Sequence, residues 1–108
     1  MVSENKQLCT PASVDTIPSS NGQEDHVSMG ANAATKCYKV VQNLGDILSI
    51  EWLTAAQAIH FRKPAKTSPF LEKYLEVYRT SVPSLEHDRY LREDITKTTA
   101  FMDEMKVE

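Results

Sequence analysis

From Val27 to Arg62 the apolar residues recur in alternating steps of four and three, the spacing of one face of an α-helix. One stripe runs Val27, Ala31, Ala34, Tyr38, Val41, Gly45, Leu48, Trp52, Ala55 and Ile59. A second lies beside it: Gly30, Ala33, Cys37, Val40, Leu44, Ile47, Glu51, Thr54, Ala58 and Phe61. The opposite face begins polar, with Asn32, Lys36, Lys39, Asn43 and Asp46, and then turns apolar at Ile50 and Leu53. The pattern predicts a very long helix, amphipathic in its first half and apolar nearly all round in its second. At 1.5 Å per residue it would reach roughly 55 Å, more than the short segments around it can cover. It reads as a helix from the centre of a larger bundle, with small residues such as Ala31, Ala34, Ala55 and Ala58 allowing close helix approach.

Punctuation along the chain sets the other elements. Residues 1–22 hold Pro11, Pro18, Ser13, Ser19, Ser20, Asn21 and Gly22, a composition of loops and extended chain, and predict an irregular arm lying against something else. Ser20 with Gln23, and Asn21 with Glu24, each fit a capping box, so the long helix is expected over 23–62 with Glu24 and Asp25 in its first turn, favoured there by the helix dipole. Gly45 should cost about 1 kcal/mol relative to Ala and reads as a tolerated surface position. Pro64 ends the helix. Ser68-Pro69 then caps a second one to about Ser81, Pro83 stops it, Leu85–Leu91 reads as a short helical turn, and a last helix is expected over about 93–105. Lys106-Val107-Glu108 should fray. The fold class is therefore all-α: one very long bundle helix, then two or three shorter helices over 63–108, with an irregular N-terminal arm.

Composition narrows what such a chain does. Its 108 residues suffice for one modest core. A net charge of −3 with dispersed basic residues gives no stripe for nucleic acid. The most apolar window, Leu44 to Phe61, contains Asp46, Glu51 and Gln57, which argues against a membrane span. Cys9 and Cys37 show neither CxxC spacing nor a secretory context, so a reduced, cytoplasmic protein is the expectation. Cys37 falls on a buried stripe and is expected to behave as a small apolar residue. His60 and His87 read as surface or partly packed, and Trp52 and the tyrosines as core.

The candidate chemistry sits in Gln23-Glu24-Asp25-His26-Val27-Ser28-Met29-Gly30. Taken by itself, Glu24 is an ordinary first-turn acid, and three adjacent residues on a helix point apart, which disfavours a metal site there. The octapeptide nevertheless closely resembles a signature of histidine ammonia-lyase, in the superfamily of aromatic amino acid ammonia-lyases. Ser3-Glu4-Asn5-Lys6, Pro11-Ala12-Ser13-Val14-Asp15 and Ile17-Pro18 resemble the segment before the signature. Ile50-Glu51 and Ala55-Ala56-Gln57-Ala58 resemble the following helix, and Val82-Pro83, Asp88-Arg89, Leu91 and Asp94-Ile95 the C-terminal part.

The resemblance implies an enzyme that eliminates ammonia from L-histidine to give trans-urocanate. It also implies a methylidene-imidazolone group (MIO), formed from an internal Ala-Ser-Gly, and a homotetramer of packed long helices. This sequence contains no Ala-Ser-Gly, so it resembles only the C-terminal portion of the lyase and cannot build the prosthetic group itself. The segments 1–22, 23–62 and 63–108 would then be parts of one larger lyase domain. Within the match, Glu24 corresponds to the catalytic, substrate-binding glutamate that faces the imidazole, and Gln23 to its neighbour in the pocket. In relatives acting on phenylalanine or tyrosine the matching pair resembles Asn-Gln. Two alternatives stand beside this reading: a non-catalytic helical assembly module derived from the lyase, and a lyase or aminomutase for another aromatic amino acid.

Overall fold

The computed structural model describes residues 1–105, which contain four α-helices and no strand. They are α1, Val2–Leu8; α2, Gly30–Phe61; α3, Pro69–Ser81; and α4, Arg92–Glu104. The all-α class, the long helix and the shorter ones after it are as the periodicity predicts. The expected fraying of Lys106–Glu108 lies outside the described residues. Two compact units divide the chain, one over Met1–Leu44 and the other from Gly45 onward.

In the first unit the arm is not wholly irregular. Val2–Leu8 forms a seven-residue helix, too short to hold by itself. Its sequence is rich in helix formers and contains no proline, and polar tethers hold it. Lys39 Nζ lies 2.8 Å from Glu4 Oε1, and Asn43 Nδ2 donates to Glu4 Oε2 at 2.9 Å and to Asn5 Oδ1 at 2.7 Å. Beyond α1, Lys36 Nζ donates to the Thr10 carbonyl. Val14 and Ile17 stay exposed, so polar contacts rather than apolar burial fasten this arm.

The long helix begins later than its capping boxes suggest. Ser20, Asn21 and Gly22 all have positive φ and form a short 3-10 turn, which turns the chain away from the helical path. Helix α2 starts at Gly30, after Met29, whose carbonyl accepts the Ala33 N–H at 2.9 Å; just ahead of it Ser28 Oγ accepts the Gly30 N–H at 3.3 Å in a local serine turn. Glu24 and Asp25 therefore lie outside the first turn, and the dipole does not act on them.

The second unit carries the core. Leu53 and Ala56 of α2, Tyr78 of α3 and Val82 after it are buried, with Trp52, Leu75 and Phe101 packed around them. Trp52 meets Tyr78 edge-on at 6.0 Å, and Phe101 lies 5.3 Å from Tyr78, separations at which aromatic pairs attract. Trp52 and Tyr78 thus pack as expected, whereas Tyr38 and Tyr90 are exposed. Ser68 Oγ accepts the Leu71 N–H at 3.3 Å, with Pro69 opening α3, as predicted.

Residues 85–91 are not a helical turn. The Gln57 side chain pairs with both backbone groups of Leu85, donating at 3.0 Å and accepting at 2.9 Å. Arg89 donates to the carbonyls of Pro83 and Ser84 and to the buried Asp94 carboxylate. Gln57 thus satisfies the backbone groups of Leu85, and Arg89 the carbonyls just ahead of the segment, without a helical turn.

Candidate functional site

The signature occupies the irregular stretch between the 3-10 turn and α2. Gly22 N–H donates to the Ser19 carbonyl at 2.9 Å and Gln23 N–H to the Ser20 carbonyl at 3.2 Å. Glu24 then pairs back with Ser19 as an isolated antiparallel bridge, through a 3.5 Å bond from its N–H to the Ser19 carbonyl. Three residues on, Val27 N–H donates to Thr16 Oγ1 at 3.0 Å, a half-buried bond. Asp15 Oδ1 in turn accepts the Thr16 N–H at 2.8 Å. The octapeptide is thus held at its start and at its middle by the arm that precedes it.

Gln23, Glu24, Asp25 and His26 are all exposed. Among the described residues the Glu24 carboxylate makes no side-chain hydrogen bond or ion pair. It is displayed on a turn that costs roughly 1–2 kcal/mol for each non-glycine residue held left-handed. Such strain persists where the surrounding bonds over-determine it. An acceptor of this kind can take an N–H from a ligand with a charge-assisted bond.

Next to the signature lies an open groove of about 730 Å³ lined by Pro11, Asp15, Thr16, His26, Met29 and Ala33, among others. His26 borders this groove, while Gln23 and Glu24 do not. Among the described residues, no group of three or more His, Cys, Asp or Glu side chains could hold a metal ion, and no helix is long and apolar enough to cross a membrane.

Sequence periodicity missed two features here. Cys37 is exposed, not buried, and lines a smaller apolar cavity of about 270 Å³ together with Cys9, Leu8 and Val40. Thr16 carries no motif of its own, yet its hydroxyl anchors the signature. The one hint was its place between Asp15 and Ile17, in the gap between the two runs that resemble the approach to the signature.

Residues 1–80 match the aromatic amino acid lyase family, and the chain belongs to it. Within that family it is similar to the histidine ammonia-lyases. That of Anaeromyxobacter sp. (strain K) is 49% identical over 104 residues, 96% of this chain and 20% of that protein. That of Vibrio cholerae is 45% identical over 102 residues, 94% of this chain and 20% of that protein. The crystal structure of histidine ammonia-lyase from Trypanosoma cruzi superposes with a TM-score of 0.87 at 44% identity, over 94% of this chain and 20% of that one. The chain thus spans about a fifth of the length of the relatives it matches.

Proposed function

We propose that this chain is the C-terminal portion of a histidine ammonia-lyase and forms one wall of the site where L-histidine loses ammonia to give trans-urocanate. The observation that carries this reading is the Gln23-Glu24 pair, displayed on a clamped turn within the part of the chain that matches the lyase family. An imidazole N–H entering a water-poor pocket needs an acceptor, and the Glu24 carboxylate is one with no competing partner on this chain. Gln23, beside it, would line the pocket or orient the carboxylate once the rest of the enzyme closes the site. A carboxamide in place of Glu24 would suit a carbocyclic ring better, which favours histidine over other aromatic amino acids.

The residues present do not build MIO. Its precursor triplet is absent, since the three glycines follow Asn21, Met29 and Leu44. The chemistry of this chain is therefore confined to binding and orienting the ring, and the 108-residue polypeptide should form no urocanate from L-histidine without the rest of the enzyme. All 108 residues would belong to one larger lyase domain, in a reduced cytoplasmic setting consistent with two free thiols. Self-association follows from α2, which leaves Tyr38, Val41, Leu44, Leu48, Ile50 and Phe61 exposed. Helices of this kind pack into the homotetramer that the family resemblance implies.

The test replaces Glu24 by Gln in a full-length histidine ammonia-lyase carrying this segment, and follows urocanate absorbance. We expect kcat/KM for L-histidine to fall on the order of 100-fold or more, the loss of a charge-assisted bond in a dry site. Unchanged activity would refute the role of Glu24.

A further inference from the structure

Three successive residues immediately before Gln23 hold left-handed backbone: Ser20 with φ 48°, Asn21 with φ 58° and Gly22 with φ 81°. Residues with a Cβ avoid this region, and runs of it are rarer still. Side-chain burial does not account for it, because residues 20–26 are all exposed and Ser19 only half-buried. The turn reverses the chain. Ser19 and Glu24 are brought opposite each other, and the Val27–Thr16 bond fixes the far end. The direction in which Glu24 leaves the backbone is thus set by the handedness of the three residues ahead of it.

We infer that the left-handed turn Ser20-Asn21-Gly22 is the device that aims Glu24, and that Gly22 is a positioning residue for recognition of an imidazole-bearing amino acid. The inference rests on the reading of Glu24 as the imidazole acceptor. Gly22 is the critical member because it has the largest positive φ of the three and because glycine alone adopts that region without strain. A Cβ added there would meet no atom within 4 Å. A side chain at position 22 therefore conflicts with the backbone angle and with no atom of this chain, so within this segment a substitution changes the aim of the turn without crowding it.

The test uses a full-length histidine ammonia-lyase carrying this segment, with KM and kcat for L-histidine measured by urocanate absorbance. Gly22→Val should raise KM on the order of 10- to 100-fold, the scale set by small displacements of a binding group, with helix content and assembly unchanged. Gly22→Asn should restore KM to within a few-fold, because asparagine tolerates left-handed backbone. In the Glu24→Gln background, Gly22→Val should raise KM no further, since its effect runs through the carboxylate already removed.

The inference is overturned if Gly22→Val leaves KM unchanged, if Gly22→Asn is as impaired as the valine variant, or if the valine effect is as large in the Glu24→Gln background. If the valine variant fails to assemble, Gly22→Ala, with the same angular conflict and a single methyl in open space, is read by the same criteria. Glu24→Gln alone separates the two ideas. A normal KM in that variant removes the imidazole reading itself, whereas a raised KM with a normal Gly22→Val removes only the positioning role.

Discussion

Thr16 Oγ1 accepts the backbone N–H of Val27 at 3.0 Å across eleven residues of sequence. This one side-chain oxygen joins the arm to the last turn before α2 and closes the loop that carries Gln23 and Glu24. Thr16→Val keeps the shape and removes the acceptor, leaving a half-buried N–H unpaired. We expect a loss of about 1 kcal/mol in the local opening free energy, seen as faster hydrogen exchange at the Val27 amide, with Thr16→Ser close to the parent. Equal exchange in all three proteins would contradict the anchoring role.

Helix α1 should detach in acid. The hydrogen bond from Lys39, and then that from Asn43, hold the Glu4 carboxyl below the usual carboxylate range. A carboxylate with a depressed value in the folded chain stabilises above its unfolded value and ceases to do so as pH falls through the folded one. Amides of Val2–Leu8 should therefore exchange faster as pH drops through and below the ordinary glutamate value, about 4.3, after correction for intrinsic rates. Glu4→Gln should remove that pH dependence, and its persistence in the variant would exclude Glu4 as the cause.

Gly45 lies within α2, and a methyl added there would meet no neighbour within 4 Å. Gly45→Ala should stabilise the isolated chain by about 1 kcal/mol through helix propensity, raising Tm by roughly 4–8 °C at fixed protein concentration. A lowered Tm would show that this position needs the absence of a side chain.

Tyr78 is fully buried, and its hydroxyl lies 2.9 Å from Thr98 Oγ1. Thr98 donates its own proton to the Asp94 carbonyl at 2.6 Å, so the tyrosine is the donor. Burial pushes its pKa up. The unfolded chain then loses this proton first, and stability should fall as pH rises above about 10. Tyr78→Phe should cost about 1 kcal/mol at neutral pH and flatten the alkaline decline, as read from urea titrations at neutral pH and at about pH 10.5, just above the ordinary tyrosine value.

Arg89 donates from Nε to Asp94 Oδ2 at 2.8 Å, and from Nη2 to the Pro83 carbonyl at 2.8 Å. Asp94 is only 5% exposed. Arg89→Met leaves that carboxylate buried without its cation and should cost about 2–3 kcal/mol. Arg89→Lys should recover only part of this, because an ammonium cannot serve the carboxylate and both carbonyls with one planar fork. A lysine variant as stable as the parent in denaturant titration would refute the shared-fork account.

The sequence by itself determined the helices whose partners are local. Period, proline punctuation and the Ser68-Pro69 cap suffice for the existence of α2 and α3, because a helix closes its own hydrogen bonds; the buried side of α2 they do not give, since Ser49, Leu53 and Ala56 lie on neither apolar stripe. The Gln23-Glu24 pair was singled out by its resemblance to a known signature, and its role is the proposal made above. What only the tertiary structure decided were the places where distant groups compete with local ones. Val2–Leu8 is helical because Lys39 and Asn43 tether it, and residues 85–91 are not, where the Gln57 side chain takes both backbone groups of Leu85. The start of α2 at Gly30 instead of Gln23 is the same kind of outcome. Two overlapping capping boxes describe a helix that the left-handed Ser20-Asn21-Gly22 turn, held by Ser19 and Thr16, does not let begin. Capping boxes are written in local spacing, whereas the bonds that overrule them join Val27 to a threonine eleven residues earlier.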